Sequence, residues 1–193
     1  MTSASRPVPF IDANVLYSAG VRDILLQLGK QQIIVPKWSE DIGVEWQRAL
    51  RNSRPSIPPE KLDRIWEELN YHYSTSLVTG YDHLINDIHL PDPDDRHVLA
   101  AATVGNCDVI LTANLRDFPQ EAVGAYGLSA EHPDSWMRNL LESKPDDFCR
   151  AVRDMRRRLR KPPFTVAQHL ESLERQGLKD TVSLLRQYAH LLE

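Results

Sequence analysis

Apolar and polar positions along the chain follow two different periods. Three short apolar runs, Pro7-Val-Pro-Phe-Ile-Asp12, Gln32-Ile-Ile-Val-Pro36 and Asp108-Val-Ile-Leu-Thr112, read as buried strands. Between them the spacing turns helical. A short helix is expected from Val15, and Ile24, Leu25 and Leu28 share one face of a helix over 21–28. Ser39 followed by Glu40 and Asp41 predicts a capped helix with acids in its first turn. Pro58-Pro59-Glu60 opens another, carrying Leu62, Ile65, Trp66 and Leu69. A strand at Ser76–Val78, a short helix at Tyr81–Ile85 and a helix after Asp95 that ends at Gly105 come next. Beyond Pro119 the pattern predicts a helix over 120–126, an edge strand at Leu128–Glu131, and a helix through Leu141 capped by Asp134. This order predicts an alternating α/β domain with a small parallel sheet.

Residues 145–193 change character and read as helices without strands. Phe148, Val152, Met155 and Leu159 make an apolar stripe on a helix over 146–160, so this tail needs a packing surface. The same helix carries Arg153, Arg156, Arg157, Arg158 and Arg160, followed by Lys161, mostly on its other faces. Such a run is either a solvated face or a patch for RNA phosphates. Pro162-Pro163 breaks the helix, and two more follow, separated near Gly177.

Carboxylates recur at related points of this pattern. Asp12 ends the first strand, where open α/β sheets bind ligands. Asn14 beside it can bond that carboxylate or a phosphate, or simply cap the next helix. Glu45 shares a helical stripe with Ile42, Trp46 and Ala49, where an apolar side chain is expected. There it is either paired or metal-bound, or it lies at the stripe's edge and reaches water. Asp92, Asp94 and Asp95 are held by two prolines that delay the helix, and Asp117 follows the third strand, with Asn114 nearby. Several carboxylates brought together raise one another's pKa unless cations neutralise them. Oxygen donors without His or Cys suit Mg²⁺ or Mn²⁺, which can activate water against a phosphodiester.

Composition narrows the reading further. A chain of 193 residues with 41% hydrophobic and 26% charged positions fits a domain of about 150 residues plus an appendage. The net charge of −4 argues against broad nonspecific nucleic-acid binding, without excluding a local basic face. No apolar run approaches the roughly 20 residues of a membrane span, and the first residues show no apolar signal-peptide core. Cys107 and Cys149 have neither paired nor zinc-ligand spacing, so buried thiols in a reducing cytoplasm are expected. The seven histidines, His97 included, have no ligand spacing and read as structural. Asp12-Ala-Asn14 lacks the second Asp of a phosphoaspartate phosphatase. No Gly-rich phosphate loop or Gly-x-Ser-x-Gly elbow is present either.

Four pieces in this order resemble the PIN-domain ribonucleases, and among them the VapC-type toxins of bacterial toxin–antitoxin pairs. They are Phe-Ile-Asp12-Ala-Asn14, Ser39-Glu-Asp-Ile-Gly-Val-Glu45-Trp, Asp92-Pro-Asp-Asp95-Arg-His-Val-Leu-Ala-Ala-Ala, and Leu111-Thr-Ala-Asn114-Leu-Arg-Asp117-Phe-Pro. The resemblance covers residues 8 to about 135. It implies a three-layer α/β/α PIN-like domain over 1–140 with a small parallel central sheet, and an all-helical C-terminal extension over 141–193. It also implies that Asp12, Glu45 and Asp95 are the core metal-binding and catalytic acids, with Asp117 or Asn114 in a fourth place. Asn14, Asp92 and Asn114 would support them. The expected activity is Mg²⁺-dependent (or Mn²⁺-dependent) endoribonucleolytic hydrolysis of RNA leaving 5′-phosphate and 3′-hydroxyl ends. A homodimer, a cognate antitoxin and a cytoplasmic location complete the expectation, with no membrane partner. The contrasting expectation is a module that keeps the fold and binds RNA or protein without turnover.

Overall fold

The computed structural model describes residues 6–160 and 162–193, so the expectations for the first five residues and for Lys161 lie outside the described residues. In chain order the elements are β1 (Pro9–Ile11), α1 (Ala13–Tyr17), α2 (Ala19–Lys30), β2 (Trp38–Ser39), α3 (Glu40–Ser53), α4 (Pro59–His72), β3 (Leu77–Val78), α5 (Asp82–Ile85), α6 (Arg96–Val104), β4 (Val109–Leu111), α7 (Gln120–Gly124), β5 (Ser129–Glu131), α8 (Pro133–Ser143), α9 (Pro145–Arg158), α10 (Val166–Arg175) and α11 (Lys179–Leu185). Short 3-10 turns stand at Pro93–Asp95, Leu115–Asp117 and Arg186–Leu191. The chain divides into two compact units.

One unit, Pro7–Tyr17 with Val35–Glu131, carries the five strands found among the described residues. β4 pairs in parallel with β1 on one side and β5 on the other, and β2 pairs in parallel with β3. A single parallel bridge from Phe10 to Lys37 joins the two sets, giving the spatial order β3-β2-β1-β4-β5. The order reverses between β1 and β4, the point at which such sheets open a crevice at their carboxyl ends. Phe10, Ile11, Ile110 and Leu111 are fully buried, as near-continuous apolar strands of a covered parallel sheet must be. Trp38, Trp46 and Trp66 pack with centroids about 6 Å apart (6.3 Å and 6.1 Å) under α3 and α4. Gly43 is required there, since a Cβ would stand 2.3 Å from the Trp66 ring.

The strand expected at Gln32–Pro36 forms later in the sequence. Gln32 takes a left-handed φ of 58°, and Ile33 N still donates to Leu28 O of the preceding helix. Pairing starts only at Val35, whose N–H donates to Pro7 O, and Lys37 N then donates to Pro9 O. Gly105 ends α6 as expected, standing as its C-cap. Its φ is −71°, and the left-handed residue is Asn106. Glycine is needed at 105 because a Cβ would meet Val78 Cγ2 at 2.9 Å.

The other unit comprises Ser18–Ile34 and His132–Glu193, apart from the first residues of the chain. α9 packs on α2 and α8, and α11 packs on α8 and α10. Helix α2 groups with the C-terminal helices in this division, whereas the family resemblance implies a boundary at 140. Phe148 and Val152 are buried as expected, but Leu159 is 40% exposed, and Cys149 and Ala151 complete the covered face. Asp134 is not the cap of α8, whose N-cap is His132. Buried Asp134 instead accepts from Asp180 N and Thr181 N, both at 2.9 Å, and so caps α11 from a distance. Both cysteines are buried and free, and burial pushes the Cys107 thiol to about 12 and the Cys149 thiol to about 11. Among the described residues no helix is long and apolar enough to cross a membrane.

Candidate metal centre

The crevice between β1 and β4 is built first by Asp12, which leaves β1 and stays 5% exposed. Its Oδ1 accepts from Ala13 N at 2.6 Å, and its Oδ2 accepts from the Thr112 hydroxyl at 2.7 Å and from the Asn14 amide. Thr112 ends β4, 100 residues away in sequence. The Asn14 side chain also accepts from Ala113 N at 3.0 Å, which ties the two strand ends together. The alternatives for Asn14 thus resolve toward orienting Asp12. Burial raises the Asp12 pKa, the Thr112 and Ala13 donors oppose that rise, Glu45 adds to it and His97 opposes it.

Asp95 closes the 3-10 turn Pro93–Asp95, and the α-helix α6 starts only at Arg96, after the acidic cluster, as the two prolines predict. Asp92 caps this turn by accepting from Asp94 N at 2.9 Å. Asp95 makes no capping bond itself, leaving its carboxylate to the cleft. Burial, followed by the charges of Asp12, Asp117, Asp92 and Glu45, pushes it up to about 7. Asp117 ends another 3-10 turn and accepts from the Asn114 amide.

Carboxylate oxygens of Asp92, Asp95 and Asp117 lie within 4.8 Å of one another. Asp92, expected to act behind the ligands, thus stands in the tight group. Asp12, Glu45, Asp95, Asn14 and Asn114 line a cleft of about 510 Å³ beside it. Glu45 sits at the edge of its helix, with its side chain 29% exposed. Ala49, expected inward, is exposed, and the buried face of α3 is Ile42, Gly43, Trp46 and Leu50. The donor set is all oxygen, and its mutual repulsion is relieved by a small hard cation, so the residues fit Mg²⁺ or Mn²⁺.

His97, read as structural from its spacing, meets Glu45, a contact that spacing did not signal. Its Nε2 is 3.1 Å from Glu45 Oε1, and although burial lowers its pKa, the Glu45 hydrogen bond and charge leave it raised. Thr112 was legible only as the polar end of a strand. The five arginines belong to the other unit. Arg156 is engaged by backbone carbonyls of Phe164, Leu192 and Glu193, and Arg157 by that of Glu193, whereas Arg158 and Arg160 are exposed.

A family model described as PIN domain matches residues 9–116, more than half of the chain, and the chain belongs to the PIN-domain family. Residues 133–187 match the model of the VapC50 C-terminal domain. The chain is also 34% identical over 103 residues to "Putative ribonuclease VapC50" of Mycobacterium tuberculosis (strain ATCC 25618 / H37Rv). That alignment covers 53% of this chain and 60% of the relative's length. Together the matches are those of a VapC-type PIN protein with a C-terminal extension. No solved structure matches significantly.

Proposed function

We propose that this chain is a divalent-metal-dependent endoribonuclease that hydrolyses RNA phosphodiester bonds as the toxin of a toxin–antitoxin pair. The observation that carries the reading is the convergence of Asp92, Asp95 and Asp117, with Asp12 and Glu45 lining the same crevice. The name of the relative, a ribonuclease, points the same way.

In this reading Asp12, Asp95 and Asp117 hold Mg²⁺ or Mn²⁺, Asp92 joins them, and Glu45 completes the set or orients water. The bound ion would polarise the phosphodiester and acidify a water. The chain's own residues prepare that site. Thr112, Asn14 and the Ala13 N–H hold the Asp12 carboxylate in one orientation, and His97 holds Glu45. Asp95, poised near neutrality, would give up its proton to accommodate a bound cation. The 5′-phosphate and 3′-hydroxyl products, the homodimer, the antitoxin and the cytoplasmic location rest on the family resemblance. Arg153 and Arg156–Arg158 with Arg160 remain candidate RNA contacts, and the exposure of Arg158 and Arg160 favours those two.

Incubation with total cellular RNA and Mg²⁺, with and without chelator, followed by sequencing of new 5′ ends, tests the reading. Defined new ends that need the metal and vanish in Asp12→Asn are expected. RNA left intact with both Mg²⁺ and Mn²⁺ rejects it, and RNA retained without new ends points to a binding module.

A further inference from the structure

Helix α3 shows the crevice more than Glu45. Glu45, Arg48, Ala49 and Asn52 follow the i, i+3, i+4, i+7 spacing of a single helical stripe, and all four line the cleft. At a rise of 1.5 Å per residue, Arg48 lies about 4.5 Å and Asn52 about 10.5 Å along the axis from Glu45. The stripe therefore runs along the cleft away from Glu45. Tyr17, the last residue of α1, lines the same cleft and is half-buried, and α1 packs on α3.

Arg48 is the one cation lining this cleft among the described residues. It is exposed and takes part in none of the ion pairs there, whereas Arg51, on the same helix, is bonded to Gln47 and Asp63. Ala49, on the same stripe, adds only a methyl to this wall of the cleft. We propose that Tyr17, Arg48 and Asn52 form a nucleotide subsite beside the metal centre, holding the RNA residue next to the scissile phosphate. This rests on the ribonuclease reading.

Each residue type suits its part. A guanidinium fork matches phosphate oxygens, and a phenol ring offers a stacking face to any base. The Asn52 amide both donates and accepts, so it can bond a base edge or a 2′-hydroxyl. The wall also meets an electrostatic need. The crevice floor is acidic, so a strand arriving there gains from one cation placed a step away from the acids.

The test uses the full chain, a short random-sequence single-stranded RNA oligonucleotide, and the variants Arg48→Gln, Tyr17→Leu and Tyr17→Phe. Arg64→Gln, on α4 in an exposed pair with Glu68 and outside the cleft lining, is the control. Arg48→Gln is expected to raise Kd and KM about tenfold and to lower the salt slope of RNA binding by about 0.7, one phosphate on a single strand. kcat should stay within about twofold and Mg²⁺ binding without RNA should not change, which also shows that the variant folds. Tyr17→Leu is expected to weaken binding about tenfold, with Tyr17→Phe restoring it because the ring is kept. An unchanged salt slope and Kd in Arg48→Gln, or equal losses in the two Tyr17 variants, would overturn the subsite. If the parent cuts no RNA yet binds the oligonucleotide in an Arg48-dependent way, the nuclease reading fails and the subsite stands.

Discussion

His97 Nε2 lies 3.1 Å from Glu45 Oε1, joining α6 to α3, with side-chain exposures of 11% and 29%. A carboxylate on a long flexible side chain keeps one orientation only if something holds it. His97→Ala should therefore weaken Mg²⁺ binding about tenfold, as loss of a group that orients a ligand typically does. His97→Gln, which keeps a donor, should recover most of it. Calorimetric Mg²⁺ titration of the three proteins decides the matter, and equal affinities would remove His97 from the site.

Asp95 makes the metal-free protein sensitive to pH. Its folded pKa of about 7 lies above the ordinary 3.8, so between those values the folded state holds a proton that the unfolded chain has released. Stability from this group thus falls as pH rises toward 7. The raised pKa of His97 acts in the same direction, because its contribution is also lost as pH rises through its folded value. Asp95→Asn should be more stable than the parent at pH 8 without metal, by about 1–2 kcal/mol after allowing for solvent screening. It should also lose RNA cleavage. Urea unfolding at pH 5 and pH 8 reads the first effect, and a parent whose stability rises over that interval would contradict it.

Thr112→Val removes the hydroxyl that donates to Asp12 Oδ2 while keeping the shape of the side chain. A buried carboxylate then loses a donor, with an expected cost of about 1.5–3 kcal/mol. Mg²⁺ should recover part of that loss by neutralising Asp12, so thermal shifts with and without the ion should differ more in Thr112→Val than in the parent. Identical shifts would mean that the hydroxyl does not prepare the site.

Asp134→Ala leaves Asp180 N and Thr181 N at the start of α11 without their acceptor. About 2 kcal/mol of stability should be lost. Amide exchange should quicken first in α11, while amides of β1 and β4 stay protected. A uniform acceleration over the chain would show that the contact is not local.

The arginines of α9 should separate by partner. Arg156→Gln breaks bonds to three backbone carbonyls and should cost about 1–2 kcal/mol. Exposed Arg158→Gln and Arg160→Gln should stay within about 0.5 kcal/mol of the parent. If that pair also lowers the salt slope of RNA binding, the tail belongs to the RNA path. An unchanged slope makes the run a solvated face.

Several elements were legible in the sequence because their causes lie within a few residues of them. Phe10-Ile11 and Val109–Leu111 form strands with carboxylate or hydroxyl groups at their ends. Ser39 caps α3, and residues 145–193 are helical without strands among the described residues. The candidate acids were readable for the same reason, as polar groups placed where each element ends.

Tertiary structure alone decided which of those groups meet. Asp12 finds Thr112 through the pairing of Ile11 with Leu111, and a slip of that register would part them. The stripe of Glu45 and Ala49 looked inward, but three tryptophans fill the space under the adjacent face of α3 and turn that stripe to the crevice. His97 and Asp134 took partners that no spacing announces. Those partners arrive from distant segments, and local periodicity carries no record of which segment the packing of the core will bring near.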